Sequence, residues 1–335
     1  MAILAGCASA PMSSTDPKDL HVVAQLPVGG VGGWDLAAFD TAHRRLFVSH
    51  SDRVEVIDVD AGKVVGQITG MRGVHAIAVA PEANRGFITN GAANTVTVFG
   101  LDKLDTIREI KVTGENPDAI LYDSHSEQVF VFNGRSANVT VINARTLQVV
   151  NTIALPGKPE LAVSDGSGRV FVNIEDKNQV VMIDAASGAL KATWSLFPGE
   201  EPSGLAIDAE HRRLFAVCSN HKMIVLDAGS GRVVQEVAIG EGPDSAAFDR
   251  ETGLVYSSNG EGNLTVVHED DPDHFSVVAT VPTKKSARTL ALDPAKHRVY
   301  LPAADLGPAP EATPAHPHPR PSIIPDTFSV LVVGE

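Results

Sequence analysis

A repeat of about 42 residues fills most of the chain and constrains its fold more than any other feature. Each unit contains four short apolar segments separated by turns rich in Gly, Asn and Asp. The residues that close the first segment of each unit are Asp40, Ala80, Asp123, Asp165, Asp208, Asp249 and Asp293. Repeats of about 40–45 residues with four strands are typical of propeller blades. Seven such closing residues therefore predict seven blades.

The repeated segments have the pattern of strands. Residues 53–58 and 138–143 alternate in polarity, are rich in β-branched side chains and end at turn-forming residues. No segment keeps a helical period long enough for three turns. One four-stranded unit cannot bury both of its faces, so the units must stack radially. The predicted fold is all-β, a single seven-bladed β-propeller with four-stranded blades.

The two ends of the chain predict how the ring closes. The last unit stops at residues 327–333, which match a third strand, and its fourth strand is missing. Residues 20–26, followed by Pro27, resemble the fourth strands of other units, such as residues 63–68. We expect this N-terminal strand to complete the last blade. Residues 20–335 then form one domain, preceded by a leader and tether at residues 1–19.

Composition indicates a globular protein and excludes two classes of partner. Apolar residues make up 43% of the chain and charged residues 20%, which argues against disorder. The chain has 41 acidic and 27 basic side chains and no Lys/Arg cluster, so we expect no nucleic-acid partner. The longest apolar runs fall far short of the roughly 20 residues that span a bilayer. A membrane is therefore expected as a partner only through a lipid anchor.

The two cysteines have different sequence contexts. Cys218 lies in an apolar run and is expected to be a buried free thiol. Cys7 ends the sequence Leu-Ala-Gly-Cys, which resembles the lipobox of bacterial lipoproteins, in which the cysteine is lipidated. This resemblance implies a protein exported to the periplasm or cell envelope and lipidated at Cys7.

The repeat resembles that of a known family. Units such as Phe-Val-Phe-Asn-Gly-Arg-Ser-Ala-Asn-Val-Thr-Val-Ile, at residues 130–142, are similar to the YVTN-type, or YncE-like, seven-bladed β-propellers of exported bacterial proteins. The resemblance covers about residues 20–335 and implies the fold. It implies no single reaction, because this family and its neighbours include binding proteins, metal handlers and lactonase-like enzymes.

One position of the repeat predicts a functional site. The residue five places before the end of each first strand enters the ring at its channel mouth, where the loops after the second strands also open. These residues are Asp35, His75, Asp118, Glu160, Ser203, Asp244 and Arg288. A proline before several of them fixes φ and orients the side chain. We predict a polar ligand-binding site here, and we expect Glu175 and Glu261, in loops after second strands, to face it.

Three uses of this mouth remain open. Carboxylates alone would favour Ca²⁺ or Mg²⁺, and an added imidazole Zn²⁺. The candidate metal ligands are Asp35, His75, Asp118, Glu160 and Asp244. A metal-dependent lactonase- or lyase-like enzyme would use His75, or a carboxylate of raised pKa, as a general base and Arg288 to hold an anionic group. The favoured interpretation is an exported monomer that binds a small ligand, a metal or a partner protein without turnover.

An insertion interrupts the last unit. Residues 302–326, rich in Pro and Ala, separate its second strand from its third, and such a segment is expected to be extended, without a core of its own. By its position it emerges at the mouth, where long loops are usually lids or binding loops. A spacer or a disordered segment is the alternative.

Overall fold

The computed structural model describes residues 19–310 and 321–335 and contains seven four-stranded antiparallel sheets. The strands are β1 (His21–Pro27), β2 (Ala37–Asp40), β3 (Arg45–His50), β4 (Arg53–Asp58), β5 (Lys63–Ile68), β6 (Val74–Ala80), β7 (Arg85–Asn90), β8 (Thr95–Gly100), β9 (Thr106–Lys111), β10 (Pro117–Asp123), β11 (Gln128–Asn133), β12 (Asn138–Asn143), β13 (Val149–Ala154), β14 (Pro159–Ser164), β15 (Arg169–Ile174), β16 (Gln179–Asp184), β17 (Leu190–Ser195), β18 (Pro202–Asp208), β19 (Arg213–Cys218), β20 (Lys222–Asp227), β21 (Val233–Ala238), β22 (Pro243–Asp249), β23 (Leu254–Asn259), β24 (Asn263–Asp271), β25 (His274–Pro282), β26 (Ala291–Asp293), β27 (Arg298–Ala303) and β28 (Ser329–Gly334).

These strands form the predicted propeller. Blades 1 to 6 are β2–β5, β6–β9, β10–β13, β14–β17, β18–β21 and β22–β25, and blade 7 has the order β1–β28–β27–β26. The first strands of neighbouring blades contact one another around the whole ring, including β26 with β2, so they are the innermost strands. The predicted ends of the first strands agree with the structure except in blade 4, where β14 ends at Ser164, one residue before Asp165. The seven-bladed all-β fold is confirmed.

The N-terminal strand closes the ring. β1 pairs with β28 in antiparallel register from His21 opposite Gly334 to Pro27 opposite Ser329. Gln25 also donates a side-chain hydrogen bond to Ser329 at 2.9 Å. The last blade is therefore built from both ends of the chain.

Alternation along each strand explains how one blade packs against two neighbours. In β11, Phe130 and Phe132 are fully buried in a cluster with residues of blade 4, whereas Val129 and Val131 are buried in a cluster with residues of blade 2. Successive side chains of a strand point to opposite faces of its sheet, and here both faces are covered. Stacking the blades therefore buries the side chains on both faces of each sheet.

In blade 2, one pair of facing residues combines a very small and a large residue where blade 3 has two of intermediate size. Gly86 lies opposite Phe99, where blade 3 pairs Val129 with Ile142. A Cβ atom added to Gly86 would lie 2.1 Å from the Cζ atom of Phe99. We expect Gly86→Val to lower the free energy of unfolding by about 1–3 kcal/mol through overpacking, and Phe99→Ile to lower it by a similar amount through a cavity.

The double variant Gly86→Val/Phe99→Ile recreates the pair found in blade 3. Its stability in urea should return to within about 1 kcal/mol of the wild type, because the two volume changes offset each other. Costs of the single substitutions that simply add in the double variant would contradict this account of the packing.

Helical structure is minimal. In residues 20–310 and 321–335 the helical segments are two 3₁₀ turns, Pro81–Ala83 and Glu175–Lys177. Across the described residues, no helix has the length and apolar character needed to cross a membrane.

Cys218 is a buried free thiol, and burial raises its pKa to about 12. The predicted lipidation site, Cys7, lies outside the described residues, as does all of the leader and tether except Asp19.

Candidate functional site

A local irregularity at the start of the innermost strands orients the side chains at the mouth. In five blades the pairing between the first and second strands shifts register just after the first residue of the strand. The residues at this shift are His75, Asp118, Glu160, Ser203 and Asp244. A β-bulge of this kind breaks the strict alternation of a strand and re-aims a side chain. The repeated bulge therefore turns equivalent side chains toward one channel.

Hydrogen bonds between blades fix the backbone at these positions. The Thr89 hydroxyl of blade 2 donates to the carbonyl oxygen of Asp118 in blade 3 at 2.9 Å. The Thr289 hydroxyl of blade 7 donates to the carbonyl oxygen of Asp35 in blade 1 at 2.7 Å. Because each bond joins neighbouring blades, the mouth residues are held relative to one another.

All seven predicted mouth residues line one cavity of about 330 Å³, one residue from each blade. Glu175 also lines this cavity, as does Lys158, which the repeat position did not indicate. Pockets for small ligands begin at about 300 Å³, so this volume suits a small molecule rather than a large one.

Glu261, also predicted to face the mouth, is not among the residues that line this cavity. Its side chain is exposed and accepts a hydrogen bond from the Asn263 amide within its own loop at 2.5 Å. The Asn259 amide donates to Asn263 at 2.7 Å. These bonds tie the Glu261 side chain to its own loop.

Charges alternate in sign along most of the ring. Asp244 accepts from Arg288 at 3.1 Å, and Arg288 lies 3.9 Å from Asp35. Nδ1 of His75 lies 2.8 Å from Asp35 and 3.3 Å from Asp118. This part of the mouth is therefore a continuous chain of oppositely charged partners across five of the seven blades.

Lys158 extends this pattern into blade 4. Its ammonium group lies 2.7 Å from Glu160 and also pairs with Glu175. Lys158 stands two residues before Glu160 in the turn that enters β14. Alternate residues of an extended segment share a face, so this spacing was the available signal for Lys158.

Burial and neighbouring groups shift the pKa values of His75, Asp118 and Glu160 in the cavity. The hydrogen bond to Asp35 raises the pKa of His75 against the opposing effect of burial. Burial raises the pKa of Asp118, and the charge of His75 opposes that rise. Burial also raises the pKa of Glu160 to about 7, although the bond from Lys158 works in the opposite direction. A carboxyl group with a pKa near 7 exchanges a proton at neutral pH.

The shift at Glu160 predicts a pH-dependent stability. The folded pKa of about 7 exceeds the ordinary value of 4.5, so the folded protein holds a proton that the unfolded chain releases between these values. The free energy of unfolding should therefore fall as pH rises through this range. We expect Glu160→Gln to gain about 1–3 kcal/mol relative to the wild type between pH 5 and pH 8 in urea titrations. Parallel pH profiles of the two proteins would contradict the shift.

Three of the five candidate metal ligands come together. Asp35, His75 and Asp118 each offer one ligand atom, and these atoms all lie within 4.8 Å of one another. The other two candidates, Glu160 and Asp244, are paired with the cations Lys158 and Arg288. The mouth thus separates into a cluster that could hold a cation and flanking ion pairs.

A second cavity of about 340 Å³ adjoins the first and shares Arg288 with it. Its apolar wall includes Trp34, Leu306, Pro321 and Ile323. Leu306 and Ile323 form a β-bridge at the base of the insertion. Of the insertion residues that the structure describes, none lines the polar cavity, so its base stands beside this cavity.

The sequence matches no protein-family model and no curated protein. Solved structures share its fold. A chain from the "Crystal Structure of Mitotic Checkpoint Complex" is 13% identical, with a TM-score of 0.76 over 100% of this chain and 99% of that one. A chain of Kuenenia stuttgartiensis hydrazine synthase is 18% identical, with a TM-score of 0.70 over 87% and 96%. A chain from the "Structure of U3-55K" is 10% identical, with a TM-score of 0.75 over 93% and 98%. At these identities the likeness shows the fold alone: the chain is a seven-bladed β-propeller.

Proposed function

We propose that this protein is a binding protein that holds a divalent cation at the channel mouth and a small organic anion beside it. One observation carries the proposal: Asp35, His75 and Asp118, from three consecutive blades, present their ligand atoms within 4.8 Å of one another on the wall of a cavity. Two carboxylates and an imidazole suit Zn²⁺ better than Ca²⁺ or Mg²⁺. Three protein ligands also leave a coordination position for a bound molecule.

Arg288 supports an anionic ligand. A guanidinium group binds carboxylate and phosphate oxygens in a two-pronged geometry. Arg288 lines both the polar cavity and the cavity with the apolar wall, so an anion bound to it could place an apolar portion against Trp34 and Ile323. The ligand class that fits is a small carboxylate or phosphate compound with an apolar portion.

Calorimetric titration of the metal-free protein with ZnCl₂ tests the cation site. We expect His75→Ala to remove the binding event at the mouth or weaken it by about tenfold or more. His43→Ala is the matched control, because His43 also bonds a carboxylate, Asp40, at 2.8 Å, but on a turn after the first strand rather than in the mouth cavity. Zinc binding that is the same in wild type and His75→Ala would overturn the proposed cation site.

Metal-dependent hydrolysis or elimination is a second candidate function, favoured by the neutral-range pKa of Glu160. A bound cation would polarise a carbonyl group or activate water. Nδ1 of His75 is already engaged by Asp35 and Asp118, so Glu160 is the better candidate for the general base. If the protein is an enzyme, its rate of hydrolysis of some member of a panel of lactones and esters should depend on zinc. That rate should fall by at least about a hundredfold in Glu160→Gln. Equal rates in both proteins would leave the binding function.

Export and partner binding complete the proposal. The lipobox-like sequence at Cys7 and the YVTN-like repeat support localisation in the cell envelope. Radiolabelled palmitate should enter the wild type but not Cys7→Ser if Cys7 is lipidated. A partner protein is the alternative occupant of the mouth, since a chain of the mitotic checkpoint complex, a multiprotein assembly, shares this fold. A pull-down that loses its partner in Arg288→Gln would favour that alternative.

A further inference from the structure

A second cluster of metal-ligating side chains lies between blades 5 and 6, toward the face of the ring opposite the mouth. Nδ1 of His211 is 2.8 Å from Asp208 and 2.9 Å from Glu269. Asp208 closes β18, which begins at the mouth with Pro202. At about 3.3 Å per residue, this cluster lies roughly 20 Å from the mouth. It is therefore a separate site.

Glu269 breaks the pattern of the repeat. Its backbone N–H donates to the carbonyl oxygen of Gly253, just before the second strand of the blade, at 2.9 Å. Blades 1 to 5 contain the same backbone hydrogen bond, and its donor in each blade is the residue equivalent to Glu269. The equivalent residues, all buried and apolar, are Val59, Leu101, Ala144, Ala185 and Ala228. Only 7% of Glu269 is exposed. A carboxylate thus occupies a position where five blades bury a hydrocarbon group, and such burial costs free energy unless the charge is compensated.

Neighbouring protein groups leave this carboxylate incompletely satisfied. Oε1 of Glu269 is bonded to His211, but Oε2 is buried without a hydrogen-bond partner. The nearby cation Arg213 pairs with Asp227 at 3.1 Å. Asp208 adds a second carboxylate, 2% exposed, to the same small region. Asp208 accepts the backbone N–H groups of Glu210 and His211 at 3.0 Å each, so Oε2 of Glu269 is the buried atom that calls for a further positive charge.

There is space for that charge. Asp208, His211 and Glu269 line a cavity of about 80 Å³, which can hold an ion and a water molecule. Their ligand atoms lie within 4.8 Å of one another. Ligands about 2.1 Å from a tetrahedral zinc ion lie about 3.4 Å apart, so small outward movements from the present contacts would suffice.

We propose that Asp208, His211 and Glu269 form a second divalent-cation site that binds Zn²⁺ and joins blade 5 to blade 6. The ion takes the place of the proton on Nδ1 of His211, which passes to solvent. The exposed edge of His211 leaves the remaining coordination position open to water. The ion compensates both buried carboxylates and so explains why one blade carries an acid at an apolar position.

The test uses the His75→Ala protein as background, so that the mouth site is silent and the two proposals fail independently. Calorimetry with ZnCl₂ should show one zinc ion per chain. Adding Glu269→Leu should abolish zinc binding or weaken it by about tenfold or more. Leucine is the residue that blade 2 carries at the equivalent position, Leu101. Adding His43→Ala should leave binding unchanged. His43 follows the first strand of blade 1 as His211 follows that of blade 5, but the neighbouring blade 2 has Leu101 where blade 6 has Glu269.

Thermal unfolding separates a metal site from a purely structural carboxylate. In EDTA, Glu269→Leu should raise the melting temperature by about 2–4 °C, because it removes a buried charge. With zinc, it should melt below its parent, which gains stability from the ion. Co²⁺ should give visible absorption bands of a four-coordinate site in the parent only. Absence of zinc binding in the His75→Ala background, binding unaffected by Glu269→Leu, or a lower melting temperature of Glu269→Leu in EDTA would overturn the site.

Discussion

A chain that begins at residue 28 is expected to be at least about 4 kcal/mol less stable to unfolding than one that begins at residue 19. The shorter chain lacks β1, so the edge of β28 loses all of its pairing on that side. It also loses Leu20, which is buried in the cluster between blades 6 and 7, and Leu26, which packs in the cluster between blades 7 and 1. Loss of one strand therefore weakens two interfaces between blades.

A synthetic peptide of residues 19–28 should restore stability to the shorter chain, because an exposed sheet edge accepts a strand in trans. The control is the same peptide with Leu26→Asp, which keeps the backbone donors and acceptors but places a charge in the apolar cluster. Melting temperatures of the two chains, with and without each peptide, provide the measurement. Equal stability of the two chains without peptide would show that the N-terminal strand does not close the ring.

Arg44→Met should lower the free energy of unfolding by about 3–5 kcal/mol. Arg44 of blade 1 lies 2.7 Å from Asp293 of blade 7, whose side chain is fully buried. Methionine keeps much of the hydrocarbon stem but leaves this carboxylate without its ion-pair partner. A buried charge that loses its partner costs more than the pair itself contributes.

Two further variants isolate this effect. Asp293→Asn in the Arg44→Met background should recover part of the loss, because it removes the orphaned charge. Lys296→Met tests the exposed side of the same network: Lys296 contacts Asp60, which is 45% exposed. Exposed ion pairs contribute about 0–1 kcal/mol, so this change should be small. Equal losses in Arg44→Met and Lys296→Met would contradict the assignment to a buried pair.

The ring could be predicted from the sequence because the repeat specifies where each strand begins and ends as well as which segments are strands. Each blade places its residue five positions before the end of the first strand at the mouth, so one alignment found Asp35, Asp118 and Arg288 together despite their separation along the chain. The missing fourth strand of the last unit likewise identified the closing strand. Periodicity was sufficient to predict residue positions wherever the blades have equivalent structures.

Departures from the repeat could not be predicted in this way. Lys158 reaches the cavity from a position outside the repeated one, and Glu261 is held by contacts within its own loop. His211 and Glu269 are 58 residues apart, on different blades, with no local spacing to connect them. Such pairings depend on how neighbouring blades pack, which no single unit encodes.

Opposite faces of the ring thus share one chemical arrangement, a histidine between two carboxylates from different blades. At the mouth His75 lies between Asp35 and Asp118, and toward the opposite face His211 lies between Asp208 and Glu269. The environments differ, because the mouth opens on a cavity of about 330 Å³ and the other site on one of about 80 Å³. Only the mouth has room for an organic ligand beside the ion.

Anomalous diffraction at the zinc absorption edge, from crystals grown with ZnCl₂, would locate a cation bound at the mouth. We expect a peak within about 2.0–2.2 Å of one atom each of Asp35, His75 and Asp118. The same crystals of His75→Ala should lack it. A mouth without a peak in the wild type, with His75 still bonded to Asp35 and Asp118, would contradict the proposal that these residues bind a cation.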